Sequence, residues 1–193
     1  MPRNVFVFCG NPVEGSFCSE IARQYVASAT AAGHACRAMS VGEMKFDPNL
    51  RYGYHQRMEL EPDLLAAQEG VRWAEHLVFI YPTWWGSMPA LMKGFVDRTF
   101  LPEFAFRYRP GSVFWDKLLK GRSARLIVTM DAPWWWDTLV NGSTSRHTMA
   151  VPILKFSGVR PVKQTVFDQV RKSTPEKRAK WIEFVKRLGA NGA

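Results

Sequence analysis

The sequence lacks the features that define several large classes of protein. No apolar run approaches the roughly 18 residues of a membrane span, and the N-terminus has no charged-then-apolar leader, so we expect neither a membrane protein nor a secreted one. The three cysteines form no CxxC pair and no metal-ligand spacing, which favours a reducing, cytoplasmic location and no metal. No RNP, zinc-finger or helix-turn-helix pattern is present, which argues against nucleic-acid binding.

The sequence is rich in aromatic residues and in positive charge. Its 193 residues predict one domain, residues 1–193, and the eight tryptophans indicate a ligand pocket or an interface. Residues 151–193 hold 10 Lys and Arg against 3 Asp and Glu, so most of the net charge of +9 lies there. The simplest interpretation of this basic segment is a solvated helix face, and the alternative is an electrostatic role toward an anionic cofactor or a membrane.

Predicted strands and helices alternate along the chain. The expected strands are residues 4–8, 35–41, 76–81, 123–130 and 160–167, and the expected helices are 16–32, 61–75, 89–100, 143–156 and 175–188. This alternation predicts an α/β protein in which helices cover both faces of a five-stranded parallel sheet. Ligands of such sheets bind beyond the carboxyl ends of the strands.

Three unusual loops follow predicted strands and therefore meet at that edge. They read "CGNPVEGSFCSE", "PTWWGSMP" and "DAPWWWDTLVNGSTSRH". The first loop offers small residues ahead of a helix, a setting suited to a phosphate, yet it lacks GxGxxG and GxxxxGK[ST]. The other two loops supply flat aromatic side chains. A phosphate at one end and a flat ring at the other describe a flavin nucleotide.

Three segments resemble a known family. "SFCSEIA", "YPTWWGSMPALMKGFVDRTFLPEFAF" and "LKGRSARLIVT" are similar to the NAD(P)H:quinone oxidoreductase (DT-diaphorase-like) family of flavodoxin-like flavoproteins, over roughly residues 4–167. The resemblance implies a flavodoxin-like three-layer α/β/α fold with a five-stranded parallel sheet in the order 2-1-3-4-5. It implies tightly bound FAD or FMN and a homodimer with shared sites. It also implies two-electron reduction of a quinone or similar aromatic acceptor by NADH or NADPH, through flavin N5.

The resemblance also assigns site residues. The phosphate segment comprises Ser16, Phe17, Cys18 and Ser19, with Asn11 nearby; the loop along the ring comprises Pro82, Thr83, Trp84, Trp85 and Gly86; and its other edge comprises Thr129, Met130, Asp131 and Ala132. The family's threonine-glycine-glycine pattern is replaced here by "TMDAPWWW". We therefore expect Trp135 or Trp136 to stand in for the aromatic wall, with Trp136 assigned to catalysis, and His147 to take the place of the family's histidine. The simpler role for His147 is that of a solvent-exposed or capping histidine.

Simpler roles stay open for several of these residues. Trp84 and Trp85 could pack under a neighbouring loop, and residues 134–136 could form a dimer surface. Cys18 could be a reactive thiol or a small filler beside phosphate. Asp131 could contact the flavin edge or cap a turn.

Two other functions are compatible with the resemblance. One is an ancillary, regulatory subunit of a potassium-efflux system, for which the basic C-terminal segment would supply the contact surface. The other is a flavodoxin-like electron carrier, which the positive net charge and the long insert at residues 101–122 disfavour. Copurification with membranes would indicate the first, and a yellow dimer that oxidises NAD(P)H would indicate the enzyme.

Overall fold

The computed structural model describes residues 1–193 as alternating strands and helices. The strands are β1 (Asn4–Cys9), β2 (Ala35–Ser40), β3 (His76–Pro82), β4 (Phe106–Tyr108), β5 (Trp115–Lys117), β6 (Ser123–Thr129) and β7 (Val162–Phe167). The helices are α1 (Phe17–Ala31), α2 (Pro62–Trp73), α3 (Ala90–Thr99), α4 (Trp134–Leu139), α5 (Thr144–Thr148) and α6 (Pro175–Ala190), with a π-helical segment at Met149–Lys155 and a 3-10 turn at Val170–Lys172.

Five strands form one parallel sheet in the order β2-β1-β3-β6-β7. Strands β4 and β5 pair with each other outside this sheet, so the order is the predicted 2-1-3-4-5 once they are set aside. The flavodoxin-like prediction of the fold is confirmed.

The central strands are buried on both faces because helices cover the sheet on each side. Even-numbered residues of β1 face α2 and α3, where the Phe8 and Phe95 rings stack with centroids 4.0 Å apart. Odd-numbered residues such as Val5 and Val7 face α1 and α6. Burial of both faces explains why β1, β3 and β6 are nearly continuous apolar runs.

Two segments differ from the prediction, and in addition the insert at residues 101–122, to which no strand or helix was assigned, contains the antiparallel pair β4–β5. The tryptophans at 134–136, predicted on a loop, begin helix α4. The helix predicted at 143–156 is divided between α5 and the π-helical segment, which contains Pro152. Proline has no backbone N–H and so removes a hydrogen bond that a regular α-helix needs.

The basic C-terminal segment forms the predicted amphipathic helix. Thr174 caps α6 by accepting a hydrogen bond from the Lys177 N–H at 3.3 Å, and Val185 and Leu188 are buried against α1. Phe184 of α6 is partly exposed, with the Arg187 guanidinium 5.7 Å from its ring centre. The side chains of Lys177, Lys180 and Arg187 are exposed on α6, as the simplest interpretation of the basic segment expects. None of the helices is both long and apolar enough to cross a membrane.

A buried arginine of α3 anchors the irregular segment between β2 and α2. The fully buried Arg98 guanidinium donates to the Asp47 carbonyl at 2.6 Å and to the Glu59 carbonyl at 2.8 Å. It also pairs with the Glu61 carboxylate at 2.9 Å. One side chain thereby fixes three points of residues 47–61, a segment with no helix or strand of its own.

We expect Arg98→Met to lower the free energy of unfolding by about 2–4 kcal/mol, because it leaves two carbonyls and the Glu61 carboxylate without their donor. The control is Lys93→Met, which removes an exposed pair with Asp97 on the same helix and should change stability by less than about 0.5 kcal/mol. Urea unfolding followed by circular dichroism measures both. Equal effects of the two variants would contradict the anchoring role.

Candidate active site

The loops after β1, β3 and β6 enclose a cleft at the carboxyl edge of the sheet. Its volume is about 340 Å³. The lining residues are Asn11, Phe17, Cys18, Pro82, Thr83, Trp84, Trp85, Gly86, Thr129, Met130, Asp131, Ala132, Asp137, Asn141 and Val170. A cavity of about 500 Å³ lies between α1 and the loops after β1 and β2, and one of about 300 Å³ lies beside residues 50–58, but neither is lined by the aromatic loops after β3 and β6. The strand-end cleft is therefore the candidate site.

The β1 loop ends at a capped helix start. Ser16 is the N-cap of α1, and its Oγ accepts a hydrogen bond from the Ser19 N–H at 3.2 Å. Asn11 Oδ1 accepts one from the Val13 N–H at 3.0 Å, which shapes the loop. The Phe17 and Cys18 N–H groups donate to nothing within the chain. These free amides and the positive end of the helix dipole suit an anion.

The β3 loop is a tight turn with strained backbone. Trp84 and Ser87 exchange two backbone hydrogen bonds, at 2.8 and 2.9 Å. Between them Trp85 has a φ of 50° and Gly86 a φ of 71°. Two consecutive residues with positive φ are typical of a type I′ turn, and tryptophan is a rare occupant of this conformation. The Trp85 and Gly86 N–H groups donate no hydrogen bond in the chain, so the turn offers two donors.

The β6 loop closes the opposite side. Asp131 Oδ1 accepts a hydrogen bond from the Arg171 N–H at 2.8 Å, so of the two expected roles the turn-capping one is seen. The N–H groups of Asp131 and Ala132 have no partner in the chain. Cys18 contacts Thr129, with Sγ and Oγ1 3.3 Å apart, and burial raises the pKa of its thiol to about 12. A neutral, buried thiol fits the filler role and not the reactive one.

Buried polar atoms without partners occur at this cleft. Thr83 Oγ1 and Asp137 Oδ1 are buried and make no hydrogen bond, although both residues line it. The other oxygen of Asp137 is paired with Arg146, with Oδ2 and Nη2 2.8 Å apart. Such groups normally have partners in folded proteins, so their occurrence at a cleft indicates a ligand with polar atoms.

The two predicted catalytic residues do not line the cleft. Trp136 is 44% exposed and packs edge-on against Trp135, with ring centroids 5.8 Å apart. His147 is exposed on α5, and its N–H donates to the Ser143 carbonyl at 2.8 Å. Their catalytic roles stay predictions. Ser16 and Ser19 also lie outside the lining, at the start of α1.

Sequence reasoning missed three lining residues, Asp137, Asn141 and Val170. Asp137 follows the three tryptophans directly, and an acidic residue inside an aromatic segment was the one available signal. Trp84 and Trp85 are exposed, which argues against the hypothesis that they pack under a neighbouring loop. Residues 134–136 are exposed as well, and the hypothesis that they form a dimer surface stays open.

The parallel sheet and the cleft beyond its strand ends define a doubly wound α/β protein. The chain belongs to the family described as "Flavodoxin-like fold", whose model matches residues 3–188.

Curated relatives carry quinone-reductase names. The chain is 34% identical over 146 residues to the Penicillium crustosum "Ribosyldihydronicotinamide dehydrogenase-like protein traD", a match that covers 66% of this chain and 54% of that protein. It is 40% identical over 94 residues to the human "Ribosyldihydronicotinamide dehydrogenase [quinone]", covering 47% of this chain and 39% of that one. The chain thus matches about half the length of these relatives or less. The resemblance found in the sequence is confirmed.

Solved structures share the fold over nearly the whole chain. Smu.1420 from Streptococcus mutans superposes with a TM-score of 0.84 at 30% identity, covering 97% of this chain and 98% of that one. The NAD(P)H:quinone oxidoreductase from Methanothermobacter marburgensis superposes with a TM-score of 0.83 at 21% identity and covers both chains fully. An FMN-dependent NADH-azoreductase from Bacillus anthracis, in complex with FMN, gives 0.72 at 13% identity, covering 98% of each chain. The last two similarities bear on the fold alone.

Proposed function

We propose that this protein is a flavin-dependent NAD(P)H:quinone oxidoreductase. One observation carries the proposal: every flavin-binding residue expected from the sequence except Ser16 and Ser19 lines a single cleft at the strand ends. The names of the curated relatives support the same activity. The cofactor is FAD or FMN, and NADH or NADPH is the reductant.

The residues of the cleft fit a flavin. Free N–H groups of Phe17 and Cys18 at the start of α1 suit its phosphate. Toward the other end, the donors of Trp85 and Gly86 and the unpartnered Thr83 hydroxyl suit polar atoms of a ring edge. The exposed indoles of Trp84 and Trp85 supply flat apolar surface. A bound flavin supplies the two-electron redox chemistry, and the protein supplies binding and orientation.

Backbone donors on both sides of the cleft favour negative charge on a ring between them. The free amides of Trp85 and Gly86 belong to the β3 loop, and those of Asp131 and Ala132 to the β6 loop. Both loops start from neighbouring strands whose ends pair, Pro82 with Thr129, so the donors are held in place before a ligand arrives. Pre-positioned donors stabilise charge that develops during reduction.

Trp136 and His147 complete the proposal as an aromatic wall and a proton donor. Trp136 directly precedes the cleft residue Asp137, and His147 follows Arg146, which pairs with Asp137. An absorption spectrum of the purified protein and NAD(P)H-dependent reduction of a quinone test the function. Heat release and chromatography then distinguish FAD from FMN. A colourless protein that takes up no added flavin would refute the proposal.

We expect Gly86→Val to reduce flavin affinity at least about tenfold in a folded protein. Its φ of 71° is unfavourable for a β-branched residue by roughly 1–3 kcal/mol, so the turn should rearrange and displace its N–H donors. The matched control is Gly121→Val, at a φ of 83° with no atom within 4 Å of the added Cβ, away from the cleft. Flavin content per folded chain measures both variants. A stoichiometric flavin complement in Gly86→Val would count against the turn's role.

We also propose a homodimer whose partner loops close each site. The β4–β5 pair and its connecting turn expose the apolar side chains of Tyr108, Val113 and Phe114, and the aromatic loops expose further indoles. Phe114→Asp should place a charge in that interface and dissociate the dimer, as measured by light scattering. The control Phe184→Asp alters an exposed aromatic on α6 and should leave the mass unchanged. A wild-type monomer with full activity would refute the dimer.

A single open face of the ring would also fix the order in which the two substrates bind. If protein walls one face of the ring, nicotinamide and quinone must each reach within about 3.5 Å of the same reacting atom, so they bind in turn. Initial rates should therefore give parallel double-reciprocal lines, with excess quinone competing against the nicotinamide. Trp136→Ala should slow both half-reactions if that indole forms part of the shared wall. Converging lines, or a stable ternary complex, would show two separate pockets.

A further inference from the structure

The lining of the cleft includes the Asp137 carboxylate, which has one hydrogen-bonded oxygen and one oxygen without a partner. Asp137 is 1% exposed, and its Oδ2 accepts hydrogen bonds from Arg146 Nη2 at 2.8 Å and Nε at 3.3 Å. Its Oδ1 is buried and has no partner. Leaving a buried acceptor unpaired costs about 1–3 kcal/mol, more for a charged group, so this atom requires an explanation.

Arg146 holds the Asp137 carboxylate in one orientation. The same Nη2 that bonds Asp137 also donates to Ser143 Oγ at 2.6 Å, and Nη1 lies 3.4 Å from Gln164 Oε1. The Asp137 carbonyl accepts a hydrogen bond from the Ser143 N–H at 2.8 Å, which closes the loop between α4 and α5 around the ion pair. Rotation of the carboxylate would break both hydrogen bonds from Arg146 to Oδ2, so Oδ1 of this cleft-lining residue is held in a fixed orientation.

Free donors belong to two other loops that line the cleft. The free N–H groups of Trp85 and Gly86 lie on the β3 loop, and those of Asp131 and Ala132 on the β6 loop. The lining of the cleft therefore offers two sets of donors and one buried acceptor. A complementary ligand edge carries one donor and at least two acceptors. The pyrimidine edge of a flavin meets this requirement, since it has one imide N–H and two carbonyls.

We propose that Asp137 Oδ1 accepts a hydrogen bond from the imide N–H of the bound flavin ring, an inference that rests on the proposed function. Asp137 is then a residue that selects and orients the ring, while Arg146 positions Asp137. The flanking ring carbonyls accept from the amides of the two loops. A ring turned end for end in the cleft would leave the carboxylate without a donor, so this contact fixes the direction in which the flavin enters.

The geometry explains why the contact requires an aspartate. An asparagine at this position can bond Arg146 only through its amide oxygen, because a guanidinium donates and never accepts. Its NH₂ group would then face the cleft and present a donor to the donor of the ring. Asp137→Asn thus preserves shape and the Arg146 contact while it removes the acceptor.

The experiment measures affinity and needs no turnover. Flavin is removed from the wild type, Asp137→Asn and Asp131→Asn, and each is titrated with the native flavin and with its N3-methyl analogue by fluorescence quenching. Wild type should bind the native flavin at least about tenfold more tightly than the analogue, the range expected for a lost hydrogen bond to a charged group. Asp137→Asn should lose most of this discrimination. Asp131→Asn, which alters a cleft carboxylate already bonded to the Arg171 N–H, should keep it.

The methyl group adds the same bulk to every complex. The hydrogen bond is therefore measured by the difference between variants in the ratio of the two affinities, for native flavin and for the N3-methyl analogue. Equal discrimination by wild type and Asp137→Asn would overturn the role of Asp137 and leave the proposed function intact. Failure of the wild type to bind either flavin would overturn the proposed function instead. If circular dichroism shows Asp137→Asn unfolded, equal affinity of the wild type for both flavins would still overturn the inference.

Discussion

Parallel strands end at the same edge of a sheet, and every feature of the cleft depends on this constraint. Pro82 and Thr129 end β3 and β6 opposite each other, and Cys9 ends β1 opposite Ile80, two residues before the end of β3, so the loops that follow start close together. The first residue after each strand still donates to a neighbouring strand, as the N–H groups of Gly10, Thr83 and Met130 do, and free amides begin further along each loop. Those after β1 belong to the first turn of α1, whose N–H groups have no partner within the helix. Together these amides make the edge a place for a ligand with acceptors.

The strained turn after β3 shows how the sequence adapts this edge. A type I′ turn needs positive φ at both central residues, and glycine satisfies the second position at Gly86. Trp85 occupies the first, where a small or polar residue would fold more easily, and its side chain is fully exposed. Folding alone does not explain this choice. The exposed indole is better explained by a ligand or partner that covers it, which is why strain at this turn indicates function.

The sequence was sufficient for the fold and for most of the cleft, because alternation of strands and helices and clusters of small and aromatic residues are local signals. Local sequence signals did not predict helix α4 or which of its residues lines the cleft. Its six residues are too few to show a helical period, and a helix turns about 100° per residue. Trp134, Trp135 and Trp136 are consequently about half exposed, and Asp137 is the one buried residue of this helix. The resemblance assigns Trp136, whose role stays a prediction, and the helical turn in addition brings the neighbouring carboxylate to the lining of the cleft.

The Asp137–Arg146 pair connects fold and site, and its energetics support a role beyond stability. A buried ion pair is often no more stabilising than apolar residues of the same volume, because two charges lose their water. Here one carboxylate oxygen also lacks any partner, which adds to that cost. The pair nevertheless joins α4 to the loop before α5 through Ser143. Asp137 orders two elements that line the cleft, and its Oδ1 lacks a hydrogen-bond donor. The unpaired oxygen lowers the stability of the protein without ligand, and a ligand that donates a hydrogen bond to it would remove this cost. Ligand binding and the order of this segment should therefore stabilise each other.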